Sequence, residues 1–298
     1  MAPTASLAQR STTRPAPGRG LAWPPLLALP AAAALAGPAL PAWLWMWALA
    51  GSVFGGFKWL TWWRAGRRDP GRSLVYLLLW PGMDAPRFMD RSARPPRPAA
   101  GEWAAAIAKT AAGAVLFWGI ARAIPGRASG WAAMVGLVLM LHFGFFHLLS
   151  VLWRTPGIDA RPLMQAPLRA TSLASFWSER WNRAFVDLAR PLVLRPLHRP
   201  CGLGGALFAV FLASGLLHEL VISVPAGGGW GLPTAYFALQ GLGVLVERSA
   251  AGRRLGLGAG PVGWLFTLAL AAGPVYWLFH PPFVERIVLP MMRALGAL

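Results

Sequence analysis

Long apolar runs alternate with short arginine-rich stretches along this chain. A helix needs about 20 apolar residues to cross a hydrocarbon core of about 30 Å. The runs that reach or approach this length are 21–40, 42–63, 103–124, 131–153, 203–224, 231–246 and 262–279. Two shorter runs, 74–80 and 284–298, are typical of interfacial or re-entrant helices. The pattern predicts an all-α, polytopic integral membrane protein with seven or eight transmembrane helices.

The arginine clusters predict how these spans are oriented. If the spans alternate, the clusters fall on one side of the membrane; they are 10–19, 64–72, 87–97, 154–199 and 248–254. Cytoplasmic loops carry the excess of lysine and arginine. We therefore expect a multi-pass protein of a bacterial-type inner or plasma membrane, with its N-terminus in the cytoplasm.

Composition supports the lipid bilayer as the main partner of the chain. Of 298 residues, 56% are hydrophobic and 13% are charged, with a formal net charge of +18. The arginines recur at the ends of apolar runs, where anionic head groups neutralise them, and form no single basic domain. Nucleic-acid binding is therefore not expected. Cys201 is the only cysteine, which excludes an intrachain disulfide and a cysteine-based metal cluster.

The chain is expected to form one transmembrane domain over residues 21–298, after a basic and disordered N-terminus at 1–20. Four prolines interrupt the first apolar run, and residues 34–36 resemble a signal-peptide cleavage site. A cleaved signal peptide is one interpretation. A retained first hairpin is favoured, because another apolar run follows at once.

The connection 154–199 is too long and too aromatic to be a simple loop. At its centre, Ser172 or Ser175 is placed to cap a helix that follows. One face of that helix would carry Trp177, Trp181, Phe185 and Leu188, with Glu179, Arg180 and Arg183 near the lipid phosphates. The ordinary alternative is an interfacial anchor, since tryptophan and arginine are what such anchors use.

One histidine lies within an apolar run. His218 is roughly 7 Å from the midplane of a helix over 203–224, at 1.5 Å per residue. Ser214 lies one turn earlier on the same face, whereas Glu219 points about 100° away. Intramembrane ionisable residues usually face a cavity or a partner. A hydrogen bond to a neighbouring helix is the structural alternative to a functional role.

The other titratable residues point to no second site. His142 and His147 are five positions apart and would not share a face of an α-helix, so no metal site is expected. The remaining candidates are expected at span ends or interfaces, where their side chains reach the head groups; they are Glu247, His198, His280, Lys58 and Lys109. The sequence lacks a nucleophile elbow, a phosphate-binding glycine loop and a dinucleotide fingerprint.

Three motifs resemble the membrane-bound O-acyltransferases, in particular the branch similar to wax synthases. They are Trp80-Pro81-Gly82-Met83-Asp84, then Ser175-Phe176-Trp177 with Arg180-Trp181-Asn182, then Ser214-Gly215-Leu216-Leu217-His218-Glu219. The resemblance covers about residue 80 to the C-terminus, with the motifs in a core of about 80–280. It implies helices around a central tunnel through the bilayer, with His218 as the general base and Asn182 as its polar partner.

The same resemblance implies an acyl-CoA:alcohol O-acyltransferase, most simply of the wax-ester type. Acyl-CoA would be the co-substrate, no cofactor would be needed, and the acceptor would be a lipophilic alcohol. The expected substrate-binding residues are Trp177, Trp181, Arg180 and Ser214. The oligomeric state is left open.

Two other classes of protein remain as alternatives. A proton-coupled transporter would use His218 and Glu219 as a relay, but the sequence shows no two halves with matching broken helices. A non-catalytic membrane scaffold would need neither residue.

Overall fold

The computed structural model of the chain describes residues 22–66 and 69–298, and every regular element in these residues is helical. The predicted all-α class is therefore confirmed for the described part of the chain. The basic N-terminus predicted for residues 1–20 lies outside the described residues.

The first two helices form an antiparallel hairpin, as the sequence pattern predicts. Helix α1 (Pro24–Leu35) and helix α2 (Ala42–Ala65) are joined by a short proline-containing turn. The indole N–H of Trp45 donates to the carbonyl oxygen of Ala33 at 3.0 Å across the pair. Since α1 has 12 residues, its length is about 18 Å, which is less than the hydrocarbon core.

Helix α3 (Pro70–Leu79) begins at a side-chain cap, because a carboxylate oxygen of Asp69 accepts the backbone N–H of Arg72 at 3.0 Å. It leads into the loop 80–84, which is held from α2. Lys58 is buried and donates from Nζ to the carbonyl oxygen of Gly82 at 2.7 Å. The prediction that Lys58 reaches the head groups is therefore wrong, because this loop supplies an acceptor inside the protein.

Helices α4 (Ala100–Ala123) and α5 (Arg127–Arg154) pack closely through glycines. A Cβ atom on Gly144 would lie 2.7 Å from both Cα and N of Thr110, which is closer than packed atoms approach. Gly136 of the same helix would meet the backbone of Phe117 at 2.9 Å. The two helices can therefore cross this closely only because these positions are glycines, which have no Cβ atom.

Helix α6 (Arg183–Ala226) has 44 residues, so a straight helix of that length would measure about 66 Å. It bends at Gly202, whose φ of 66° and ψ of 175° interrupt the helical backbone after Pro200. The part before the bend is rich in arginine, and the part after it is apolar. The bend therefore lies one residue before the predicted span 203–224.

The last helices complete the apolar core around α6. They are α7 (Leu232–Arg248), α8 (Gly260–Leu278) and α9, which covers residues 281–294. Residues of α7 and α9 form a continuous buried cluster with residues of α5 and α6. The hydroxyl of Tyr236 donates to the carbonyl oxygen of Ala271 at 2.8 Å, which ties α7 to α8.

Four helices in the described residues are long and apolar enough to cross a membrane: α4, α5, α6 and α8. The chain is therefore consistent with an integral membrane protein, but the predicted seven or eight spans are not confirmed. Helix α7 has 17 residues and measures about 26 Å, so it is shorter than the hydrocarbon core. Helix α2 is long enough but carries Lys58, Arg64 and six tryptophans, which reduce its apolar character.

We predict that Gly144→Ala lowers the stability of the protein by about 1–3 kcal/mol, because the new methyl group would push α5 away from the backbone of α4. Gly119→Ala is the matched control on α4, since its Cβ would be 3.8 Å from the nearest atom, a side-chain carbon of Val115. Thermal unfolding in detergent should give a lower midpoint for the first variant only. Equal midpoints would contradict the close packing of α4 on α5.

Candidate active site

The imidazole of His218 lies in the apolar part of α6 and is held by its own helix. Its Nδ1 atom is 2.7 Å from the backbone carbonyl oxygen of Ser214, one turn earlier. A carbonyl oxygen can only accept a hydrogen bond, so Nδ1 carries the proton of the neutral ring. Nε2 then keeps its lone pair. The geometry therefore fixes Nε2 as the nitrogen that can accept a proton from a substrate.

Gly215 brings α7 against this histidine. A Cβ atom at position 215 would lie 2.8 Å from Cα of Thr234, so a larger residue would push the two helices apart. Helix α7 contributes Phe237, whose ring centroid is 4.5 Å from that of His218. The sequence Ser214 to His218 therefore supplies a hydrogen-bond acceptor, a close helix contact and a base within one turn.

Aromatic rings continue from Phe237 and form an aromatic wall, which consists of Phe237, Phe211, Trp177 and Trp181. The ring of Trp177 is 5.7 Å from that of Phe237 and 6.0 Å from that of Phe211. Its indole N–H donates to Oε1 of Gln240 at 3.3 Å, and the Gln240 amide donates to the carbonyl oxygen of Leu270 at 2.8 Å. Trp177, predicted to bind substrate, therefore lies beside the ring that packs on His218. Sequence reasoning missed Gln240, although a lone amide in an apolar helix is a usable signal.

The predicted single helix through residues 172–188 does not form. Ser172 does cap a helical turn, because its hydroxyl oxygen accepts the backbone N–H of Ser175 at 3.0 Å. After this turn, Trp181 has extended backbone and Asn182 has a left-handed conformation with φ of 44°. Helix α6 begins only after this break. The tryptophans and the first residues of α6 therefore belong to separate helices.

Backbone pairing with an upstream loop causes the break. The N–H of Gln165 donates to the carbonyl oxygen of Arg180 at 2.8 Å, and the N–H of Arg183 donates to that of Leu163 at 3.0 Å. These bonds take the place of helical ones. The guanidinium Nη1 of Arg180 also donates to the carbonyl oxygen of Gln165 at 3.3 Å. Arg180, which is expected to bind substrate, is therefore held against the protein's own backbone.

Trp181 and Asn182 stand at this break. The ring of Trp181 stacks on Phe176 at 5.7 Å with an interplanar angle of 13°, and it lies 5.8 Å from the ring of Phe143 on α5. Within the described residues, the Asn182 side chain makes no hydrogen bond, and no direct bond joins it to His218. The aromatic wall connects the break to His218.

A buried carboxylate supports the segment that carries the tryptophans. Glu247 of α7 accepts the backbone N–H of Leu173 and that of Ala174, the second at 3.3 Å. The prediction that Glu247 reaches the head groups is therefore wrong, because these amides need an acceptor inside the protein. Glu247 fixes the start of the turn that holds Trp177.

Glu219 points away from His218, as its position on the helix predicts. Its carboxylate accepts the backbone N–H of Gly231 at 2.8 Å and the hydroxyl of Thr234 at 3.1 Å. Both donors lie at the N-terminus of α7, where a carboxylate is stabilised by the unpaired N–H groups and the helix dipole. Glu219 therefore fixes α7 to α6.

His280 is fully buried. The prediction that its side chain reaches the head groups is therefore wrong. Its Nδ1 accepts the backbone N–H of Phe283 at 3.2 Å, so Nε2 carries the proton and donates to the hydroxyl of Ser223 at 3.2 Å. Both ring nitrogens are therefore used: Nδ1 caps the start of α9, and Nε2 holds it against α6.

Helix α5 contains a π-helical segment, Leu139–Phe145, in which hydrogen bonds join residues five apart. His142 and His147 are therefore closer to a common face than the α-helical spacing predicts. Nδ1 of His147 is 2.9 Å from Nζ of Lys109 on α4. In residues 22–66 and 69–298, no group of three His, Cys, Asp or Glu side chains is placed to hold a metal ion.

An open cleft of about 580 Å³ lies at the arginine-rich loops. Five of its lining residues are arginines: Arg72, Arg91, Arg94, Arg97 and Arg154. Arg91 pairs with Asp69 and Arg154 with Glu102. The backbone N–H of Arg72 and the Arg91 side chain hold the pKa of Asp69 below its usual value. Arg97 makes no hydrogen bond or ion pair within the part of the chain described, so its charge is available to a ligand.

Comparison with known proteins confirms the family resemblance for the region around His218. Residues 160–239 match the model of the membrane bound O-acyl transferase family. This range includes the turn with Trp177, the break at Asn182, the second half of α6 with His218, and the part of α7 that packs on it. The first motif, at Trp80, and the histidine of α5, His142, lie outside the matched range.

Curated relatives match limited parts of the chain. "Probable long-chain-alcohol O-fatty-acyltransferase 2" of Arabidopsis thaliana is 36% identical over 101 residues, which cover 30% of this chain and 29% of the relative. "Long-chain-alcohol O-fatty-acyltransferase" of Simmondsia chinensis is 32% identical over 103 residues, covering 31% and 29%. "Acyl-CoA--sterol O-acyltransferase 1" of Arabidopsis thaliana is 34% identical over 71 residues, covering 22% and 21%. The chain therefore matches less than a third of the length of these relatives.

Proposed function

We propose that the chain is an O-acyltransferase that moves a fatty acyl group from acyl-CoA to the hydroxyl of a lipophilic alcohol. The observation that carries the proposal is the hydrogen bond from His218 Nδ1 to Ser214, because it leaves Nε2 as a base within the apolar part of α6. The match to the O-acyl transferase family over residues 160–239 supports the same conclusion.

In the proposed reaction, Nε2 of His218 takes the proton of the acceptor hydroxyl as its oxygen attacks the thioester carbonyl carbon. The new C–O bond forms, the C–S bond breaks, and the proton passes from His218 to the departing sulfur. Histidine suits this transfer near neutral pH. Asn182 is proposed to act as a polar partner whose amide dipole stabilises the developing oxyanion.

The acceptor is proposed to be a long-chain alcohol, with a wax ester as the product. Two of the relatives described above are named for long-chain alcohols and one for a sterol, so all three names point to lipophilic hydroxyl compounds. Trp177, Trp181 and Ser214 are proposed to line the substrate path. The aromatic wall next to His218 would exclude water and so limit hydrolysis of the thioester.

We further propose that residues 21–298 form one transmembrane domain with a tunnel through the bilayer. Its N-terminus and its arginine-rich loops would face the cytoplasm, in a bacterial-type inner or plasma membrane. Acyl-CoA would enter from that side as the co-substrate, without a further cofactor.

The transporter alternative gains no support from the geometry of the described residues. A relay between His218 and Glu219 needs hydrogen-bonded contact between them or through water. Glu219 instead binds the N-terminus of α7 through Gly231 and Thr234, and His218 binds the backbone of Ser214. The two side chains therefore serve separate purposes.

We predict that His218→Ala lowers kcat for ester formation by about 10²–10⁴-fold, because the acceptor hydroxyl loses its base. The measurement is release of CoA and formation of labelled ester by purified protein with palmitoyl-CoA and hexadecanol. His198→Ala is the control, since His198 is exposed on the first part of α6. A folded His218→Ala protein that transfers acyl groups at the wild-type rate would reject the proposed function.

Variants at Asn182 and Ala166 separate the role of the Asn182 amide from the effect of its left-handed backbone. Both have left-handed φ angles, 44° and 46°. We predict that Asn182→Gly is more stable than Asn182→Ala by about 1 kcal/mol, because glycine adopts this conformation freely. Both variants should show the same loss of kcat, by about 10-fold or more, while Ala166→Gly keeps full activity. Wild-type kcat in Asn182→Gly would show that the amide has no catalytic role.

The arginine-lined cleft is proposed to bind the phosphate groups of acyl-CoA. Arg94 and Arg97 are exposed there, and guanidinium groups bind phosphates in bidentate fashion. We predict that the double variant Arg94→Ala, Arg97→Ala raises KM for palmitoyl-CoA by about 10-fold, with little change in kcat or in KM for hexadecanol. Arg254→Ala is the control, because Arg254 is exposed and lies outside the cleft. An unchanged KM for palmitoyl-CoA would exclude the cleft as the phosphate site.

A further inference from the structure

His142 has a buried ring nitrogen without a partner. Within the described residues, its Nδ1 atom is inaccessible to solvent and makes no hydrogen bond. A buried polar atom that lacks a partner costs free energy, and few such atoms occur in native structures. By contrast, both ring nitrogens of His280, a structural histidine, are hydrogen-bonded. The free nitrogen of His142 therefore points to a ligand that completes it.

His142 lies on α5 close to the aromatic wall of the candidate site. Its neighbour Phe143 lies 5.8 Å, ring to ring, from Trp181 of that wall. Its own ring packs at 5.3 Å against Phe146. The π-helical segment Leu139–Phe145 determines the direction of this side chain, and π-helical turns occur frequently at functional sites.

Several polar groups of the candidate site are already engaged. The indole N–H of Trp177 binds Gln240, the carboxylate of Glu219 binds the N-terminus of α7, and the carbonyl of Ser214 binds His218 itself. Acyl transfer needs a donor for the negative charge that develops on the carbonyl oxygen. His142 adds a buried ring nitrogen that none of these bonds uses.

We propose that His142 is a second catalytic histidine, which donates a hydrogen bond from Nδ1 to the carbonyl oxygen of the acyl group. This inference rests on the proposed function. His142 would be a second hydrogen-bond donor to the oxyanion, in addition to Asn182. His142 stays neutral throughout. As the alcohol oxygen attacks, the C=O electron pair moves onto the oxygen that His142 binds, and the proton goes to Nε2 of His218. The pair returns when the C–S bond breaks, and the thiolate takes the proton.

The test compares His142→Leu, which removes the donor, with His142→Asn, whose amide nitrogen occupies nearly the place of Nδ1. With palmitoyl-CoA and hexadecanol, His142→Leu should lower kcat by about 10²-fold, the usual effect of losing one oxyanion donor, without raising KM for either substrate. His142→Asn should keep at least about a tenth of wild-type kcat. The exposed His198→Leu is the matched control and should keep full activity.

A second readout separates an oxyanion donor from a residue that merely orients the alcohol. Slow hydrolysis of palmitoyl-CoA in the absence of alcohol passes through the same oxyanion, so His142→Leu should lower it by the same factor as transfer. A rise in KM for hexadecanol alone, with hydrolysis unchanged, would overturn the proposal. So would wild-type kcat in His142→Leu, or equal losses in the Leu and Asn variants at equal melting temperature. If the wild-type protein forms no ester, the proposed function itself fails.

Discussion

The hydrogen bond from His218 Nδ1 to the Ser214 carbonyl is the interaction on which the proposed chemistry depends. It assigns the proton to one nitrogen and the lone pair to the other, and it orients the ring relative to α6. Neighbouring residues keep that helix and that ring in place. Gly215 permits α7 to approach, Glu219 binds the N-terminus of α7, and Phe237 packs on the imidazole. A base held by its own backbone needs no acidic partner inside the membrane.

The segment that carries the tryptophans of the candidate site has a backbone that departs from a regular helix. Left-handed conformations at Ala166 and Asn182 each cost about 1–2 kcal/mol for residues that have a Cβ atom. Pairing of the 163–165 loop with residues 180–183 offsets that cost, and Glu247 satisfies the amides at the start of the helical turn. Trp177 and Trp181 therefore owe their positions to contacts with three separate parts of the chain.

Local features of this architecture could be predicted from the sequence, and distant contacts could not. Ser214 lies on the same face as His218 because of helical spacing alone, and Ser172 caps the turn after it through an interaction three residues away. By contrast, the burial of Lys58, Glu247 and His280 depends on partners at least 24 residues distant. The prediction that these side chains reach the head groups was therefore wrong. The apolar pattern gave the helical class correctly. It could not separate spans from shorter buried helices, because both bury apolar faces.

The π-helical segment of α5 has a consequence for how related chains are compared. A π turn is equivalent to an α-helix with one residue inserted, and the inserted residue rotates everything on one side of it relative to the other. The direction of His142 is therefore set by the number of residues between the ends of α5 as much as by the residue at position 142. A homologue one residue shorter in this helix would present a different side chain at this place, even where a histidine aligns in sequence. When related chains are compared, the number of residues in α5 should therefore be considered together with the residue at position 142.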